Sequence, residues 1–504
     1  MLPFGILFLI VYIGIYYQKK SELRRKLSRK QQLLIQRMDN LRKHLSTLNP
    51  ELLSLTDLSL ETLQQQLIEG KFTPVDLLHA YQMKALRLHD AGNSGVCEFL
   101  EEAEQLAVNL VNSNRLSKNK QTLVGIPISI KELCLTKGTS QTALSLSGIN
   151  PVFGDLSNPY SSNHETGGSS SGEGVLLALK GSPVGIGTDL GGSVRIPSVF
   201  CGLAGLKPTS GRLSNQGLAT LGYKKSVSLR VSAGPMGKRV DDLAKLMRTL
   251  LTPKMFELDP SVPPLVFNEI IYEGRDKTNL CIGYYEALDD PSLIATVPSI
   301  RRAIRESVSV LKRNGHQVVP FNVPKPKWAN ELGMKAMAID GKYNLLRELF
   351  AEPLNEHTKW LNIIPRVPHC LKVLVDNLMK LVIGKPAAVT EYLDGARGEK
   401  EVLNLISDIE EYRREFQRAM EEAGDLDAII CPVFPFPAFP KSAKSLFVTP
   451  AIAYTTLYNT LNYPAGTVSM GHVNRDDVEE SKHWPKTIRD LETVFTLRYS
   501  NIKS

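Results

Sequence analysis

Two serines set in glycine turns, 24 residues apart, are the residues of this 504-residue chain best suited to chemistry: Ser169 in GGSSSG (167–172) and Ser193 in TDLGGSVR (188–195). Upstream, Lys131 closes the run GIPISIK. A serine hydroxyl is a weak nucleophile at neutral pH and must hand its proton to a base. A lysine can be that base when burial disfavours its ammonium form. The three side chains read as a serine hydrolase that uses no histidine, with Ser193 as nucleophile, Ser169 as relay and Lys131 as base.

The turn before the nucleophile can do more. Gly191 and Gly192 permit a tight backbone reversal, which would point the amides of Leu190, Gly191, Gly192 and Ser193 at one spot and form an oxyanion hole. Each feature also has a plainer reading. TDLGGS could be a strand-to-loop turn, GGSSSG a flexible linker, and Lys131 a surface charge at a strand end. The helix-forming GVLLALK (174–180) directly after the second glycine run argues against a linker, and Ser170 and Ser171 suit a helix start.

These side chains need elements to hold them. The apolar run Leu123–Ile130 predicts a strand that delivers Lys131, and Val184–Gly187 predicts a strand that delivers Ser193. Before them, residues 21–46 and 57–115 carry helical patterning, with Thr73 and Pro74 placed as cap and first residue of a helix. After them come a strand CIGYYEA (281–287), a helix over 297–314, a strand QVVPFNV (317–323), a helix over 391–423 and a buried strand LDAIICP (426–432). Strands alternating with helices imply a layered α/β domain with a mostly parallel or mixed sheet.

Charge and hydropathy point to a membrane. The net charge is +8, but residues 18–30 alone hold seven basic side chains against Glu22. The rest is nearly neutral, so no nucleic-acid partner is expected. The basic cluster follows an apolar run, 2–17, which predicts a membrane anchor with the body on the cytosolic side; a secretory signal is the rival reading. Between Trp360 and Lys385, Leu371, Leu374, Leu378, Leu381 and Val382 recur at helical spacing. That suits an amphipathic helix on a membrane or, equally, a core-facing helix pair. Six well-separated cysteines predict reduced thiols. No nucleotide loop, metal motif or haem motif appears, so no cofactor is expected.

Three motifs occurring in order, SIKE (129–132), GGSSSGE (167–173) and GTDLGGSVRIPSVFCGLAGLKPTSGR (187–212), resemble the amidase signature family. Asn158-Pro-Tyr, SAGPMGKRVDDLA (232–244) and YTTLYNTLNYPAG (454–466) extend the likeness over residues 120–470. The resemblance implies a mixed, twisted β-sheet covered by helices on both faces. It implies Lys131 as base and later acid, Ser169 as bridging serine after a cis peptide, and Ser193 as the acylated nucleophile. Among the family's members the chain is most similar to the membrane-bound enzymes that cleave fatty acid amides. The implied organisation is an anchor (1–17), a basic and helical lead-in (18–119), the signature domain (120–470) with a membrane-contact segment (360–385), and a divergent tail (471–504). An internal membrane such as the endoplasmic reticulum is the expected location, and a homodimer the assembly to test. Two departures set up alternatives. The 38-residue interval from Lys131 to Ser169 is short for the family, and the tail lacks the family's closing motif. A catalytically impaired splice or truncated form, or an amidotransferase subunit acting on tRNA-bound glutamate, would be the other readings.

Overall fold

A computed structural model describes residues 2–93, 95–113, 122–132, 146–150, 153–218, 229–274, 279–339, 398–443 and 448–482, with short pieces between 363 and 396. A single helix, α1 (Leu2–Leu45), carries both the apolar run and the basic cluster. The expected anchor falls on its first turns, whose side chains before Ile13 lie outside the described residues. Among the described residues no helix is long and apolar enough to cross a membrane. Further along α1, Leu34, Met38, Leu41 and Leu45 recur at intervals of three and four and pack against Leu86, Phe99 and Phe153, the stripe a helix needs to dock on a core.

Three helices follow: α2 (Leu60–Ile68), α3 (Pro74–Asp90) and α4 (Glu102–Asn112). The start of α3 is set locally, as its sequence predicts. Thr73 Oγ1 accepts from the Asp76 amide at 3.1 Å while Asp76 accepts from the Thr73 amide at 2.8 Å, and Pro74 fills the first turn.

Among the described residues the signature region builds a five-stranded sheet in the order β1-β4-β6-β5-β10. Its strands are β1 (Ser129–Ile130), β4 (Val184–Asp189), β5 (Ala204–Lys207), β6 (Ser232–Gly237) and β10 (Ala465–Thr467). β1 runs parallel to β4, and the other pairings are antiparallel. The sheet is therefore mixed. A short hairpin, β2 (Ile149–Asn150) with β3 (Gly154–Asp155), stands apart from it. A second, all-parallel sheet holds β7 (Cys281–Tyr284) between β8 (Gln317–Pro320) and β9 (Ala428–Ile430).

Helices cover both faces of the first sheet. Ala233 and Met236 of β6 have opposite parity and so point to opposite sides. Met236 packs with Leu177 of α5 (Ser171–Ala178) and with Val194 and Cys201, which flank α6 (Arg195–Phe200). Ala233 packs with Met247 of α7 (Val240–Leu250). The second sheet is flanked by α8 (Pro298–Arg313), α9 (Pro326–Met337) and α10 (Glu399–Glu422). Tyr412 and Phe416 of α10 are fully buried against Phe321, and the same core takes in Tyr454 and Leu457 of α11 (Ala453–Thr460). Residues 475–482 form α12 (Arg475–Lys482), tied to α8 where Arg302 meets Asp477 at 2.9 Å.

Several expected elements change length. The predicted strand Leu123–Ile130 shrinks to the two residues of β1, because Gly125 turns with φ +86° and Pro127 has no amide to donate. Leu123 and Ile126 are still buried, as coil. The helix expected over 391–423 begins only at Glu399, after Gly398 at φ +119°. Much of the segment 360–385, and residues 133–145 of the shortened interval, lie outside the described residues. In the described part of the former, Leu371 and Leu374 are exposed and Lys372 is buried. Among the described residues β1 stands at the edge of the sheet, with β4 as its neighbour.

Candidate active site

Lys131 leaves the end of β1, fixed by its amide donating to Ile186 O of β4 at 2.9 Å. Its side chain is 6% exposed and turns inward. Lys131 Nζ donates to Ser169 Oγ at 2.6 Å and to Thr188 Oγ1 at 2.7 Å. Thr188 is the penultimate residue of β4, so adjacent strands hold both ends of this contact.

Ser169 meets Ser193 through its backbone: the Ser169 amide donates to Ser193 Oγ at 3.2 Å. The two hydroxyls make no direct hydrogen bond, an arrangement that in unliganded enzymes commonly tightens only on substrate binding. The loop before Ser169 corrects one implied feature. Among the described residues every peptide is trans, including the one entering Ser169. Gly167 and Gly168 make the reversal instead, with φ of +77° and +59°. A Cβ on Gly168 would lie 2.9 Å from Pro197 Cδ and 3.2 Å from the Ser193 Cα, so glycine there lets the two serine loops touch.

The Ser193 turn is built around Asp189, which is fully buried at the end of β4. Its carboxylate accepts from the amides of Gly192 (2.8 Å) and Val194 (3.1 Å) and takes a bidentate Arg195 guanidinium at 2.9 and 3.0 Å. Asn459 Nδ2 of α11 adds a further bond at 3.0 Å. Burial alone would raise this carboxyl, but Arg195 and Asn459 hold it well below the usual carboxylate range. Arg195 continues to Thr455 O at 2.9 Å and Asn459 Oδ1 at 2.5 Å, while Thr455 Oγ1 donates to Gly191 O at 2.6 Å. One helix from the far end of the chain thus fixes the turn from outside. Gly192 sits at φ +123°, and a Cβ there would come within 2.5 Å of Thr455 Oγ1.

This arrangement divides the four expected oxyanion donors. The Gly192 amide is held by Asp189 and so is not available to a substrate. The amides of Leu190, Gly191 and Ser193 have no partner among the described residues. Sequence reading missed Thr188, Asp189 and Arg195 as contributors. An acid and an arginine on either side of a glycine turn were the available signal.

Two more titratable groups lie close. Glu173 of α5 is pushed up to about 7 by burial, offset in part by the Ser129 hydroxyl that donates to it and by Lys131. Lys207 at the end of β5 is fully buried and pushed down to about 8, by burial and then by Arg195, and its amine donates to Pro208 O at 3.1 Å. A cavity of about 580 Å³ runs along β1 between α1, α3 and residues 95–100. It reaches Lys131, Ser169 and Glu173, but Ser193 does not line it.

The profile of the family described as Amidase matches residues 76–143 and 139–481, two segments that meet inside that short interval. The chain belongs to the amidase family. Its family makes it an amide-hydrolysing enzyme. It is 32% identical to fatty-acid amide hydrolase 1 of Sus scrofa, over 92% of this chain and 84% of that protein. Identity to fatty acid amide hydrolase 1 of Caenorhabditis elegans is also 32%, over 85% of this chain and 80% of that one. Among solved structures a fatty acid amide hydrolase shares the fold with a TM-score of 0.71 at 23% identity, over 90% of this chain and 86% of that chain.

Proposed function

We propose that this amidase is a membrane-bound serine hydrolase that cleaves fatty acid amides to a fatty acid and an amine through Ser193, Ser169 and Lys131. The observation that carries the reading is the buried Lys131 amine, in hydrogen-bond contact with Ser169 Oγ while the next link touches Ser193 Oγ. Similarity to two fatty acid amide hydrolases supports the substrate class.

In this cycle the Ser193 proton passes to Ser169 Oγ, whose own proton goes to the neutral Lys131 amine. Ser193 Oγ attacks the amide carbonyl carbon, and the Leu190, Gly191 and Ser193 amides take the oxyanion. Ser169 then gives its proton to the leaving nitrogen and regains one from the Lys131 ammonium as the C–N bond breaks. Protonating that nitrogen is the demanding step, because an amide anion is a poor leaving group. Water enters by the same proton route, attacks the acyl ester and releases the fatty acid with Ser193 restored. The apolar start of α1 anchors the protein, its basic segment lies at the cytosolic face, and the exposed Leu371 and Leu374 meet the lipid.

The test is labelling of detergent-extracted full-length protein by a fluorophosphonate, beside its Ser193→Ala form. Labelling that disappears with the substitution, together with hydrolysis of long-chain amides, supports the proposal. Folded protein that is never labelled would favour a catalytically impaired form.

A further inference from the structure

Away from the active site, three helices bring together a group of side chains that the reaction does not use. His44 stands in the last turn of α1, His79 inside α3 and Glu104 in the first turn of α4. Their ligand atoms all lie within 4.8 Å of one another. His79 Nε2 is 3.5 Å and His44 Nε2 3.7 Å from the same oxygen, Glu104 Oε1. The two rings stand edge to face with centroids 5.3 Å apart.

Hydrogen bonding does not account for this convergence. Both contacts exceed the roughly 2.7–3.2 Å of an N–H···O bond. His79 is 5% exposed, and its Nε2 is buried with no hydrogen-bond partner among the described residues. Nor, among the described residues, does a nearby cation answer the carboxylate: Arg42, two residues before His44, is paired with Asp39 at 2.6 Å and Asp90 at 2.7 Å.

Two imidazole nitrogens and one carboxylate oxygen facing a common point are a familiar ligand set for a divalent transition metal. Metal–ligand bonds of about 2.0–2.2 Å in a tetrahedron put neighbouring ligand atoms roughly 3.3–3.5 Å apart, against the 3.5 and 3.7 Å found. We propose that His44, His79 and Glu104 bind a divalent transition-metal ion, zinc by ligand type, with water at the remaining position, and so clamp the end of α1 onto α3 and α4. The intervals of 35 and 25 residues match no ligand motif, which is why no metal is expected from the sequence. The clamp sits beside the apolar contact of Leu45 with Leu86, where α1 already docks. It fixes the helix that leads to the proposed anchor and plays no part in amide cleavage.

The test uses detergent-extracted full-length protein, stripped of metal, with ZnCl2 as the probe and MgCl2 as the control. His44 and Glu104 are about half exposed, so His44→Ala and Glu104→Gln leave the fold intact, and unliganded melting curves check this. The expected result is one zinc per chain, a raised Tm with zinc but not magnesium, and slower amide exchange in the last turns of α1. Each single variant should weaken zinc binding at least tenfold while melting like the wild type without metal. Absence of zinc binding to the wild type would overturn the proposal. So would binding of equal strength in both variants, which would put the ion elsewhere.

Discussion

At the residue scale, Lys131 is set by what surrounds it as much as by its own chemistry. Thr188 Oγ1, 2.7 Å from the amine, competes with Ser169 for its protons and holds it in line. Thr188→Val keeps the shape of the side chain and removes that bond. The expected outcome is a fall in kcat on the order of tenfold with KM little changed, read from steady-state hydrolysis of a long-chain amide. Asp189 carries a different burden, because five donors converge on one buried carboxylate. Asp189→Asn leaves the Arg195 cation buried without its partner, and breaking such a pair typically costs about 3–5 kcal/mol. Denaturant unfolding should show a loss of that size, while retained stability would mean that Asn459 and Thr455 suffice for Arg195. Ser169 and Ser193 could be picked out in the sequence because glycines flank them and announce turns, and Lys131 because it ends an apolar run. Asn459 and Thr455 could not, since nothing local links them to an arginine 260 and more residues earlier.

At the scale of elements, capping is local and strand formation is not. Thr73 and Pro74 could be read as cap and first residue because a cap acts within one turn, here on Asp76. The run LVGIPISI looks like a full strand because its residues are apolar, but apolarity reports burial rather than pairing. Leu123 and Ile126 are buried beneath α2 and α3 without a ladder, and only Ser129–Ile130 reaches β4. Helix α5 contributes a measurable property through Glu173, which faces this strand. Its carboxyl is raised to about 7 in the fold, so the folded chain holds a proton that the unfolded chain releases near 4.5. The native state therefore has its full stability below the unfolded value and loses part of it as pH rises toward 7. Glu165, raised to about 7 mainly by burial, adds to the same slope. Glu173→Gln should flatten the decline in stability between pH 5 and 7, by on the order of 2–3 kcal/mol for full burial. Chemical unfolding at several pH values measures it, and parallel curves for the two proteins would refute the assignment.

At the scale of the whole molecule, the mixed sheet and the parallel sheet are joined by the α11 side chains that reach the Ser193 turn on one side and the Tyr412–Phe416 core on the other. The layered α/β class was legible from the alternation of elements and the mixed sheet from the family resemblance, whereas the division into two sheets depends on pairings between distant segments. The proposed attachment to membranes belongs to this scale as well. Removing residues 2–17 is expected to move most of the protein from the membrane pellet to the supernatant after high-speed centrifugation. Full retention would assign attachment to another surface. The grip of α11 on the nucleophile turn also has a bearing on synthesis. Arg195 leaves the ribosome 264 residues before Asn459, an interval of about 13–50 s at roughly 5–20 residues per second. Throughout that time the Ser193 loop lacks the helix that fixes it. The nascent chain thus carries its candidate nucleophile in an unfinished state until α11 has been made, and the turn can take its final form only then.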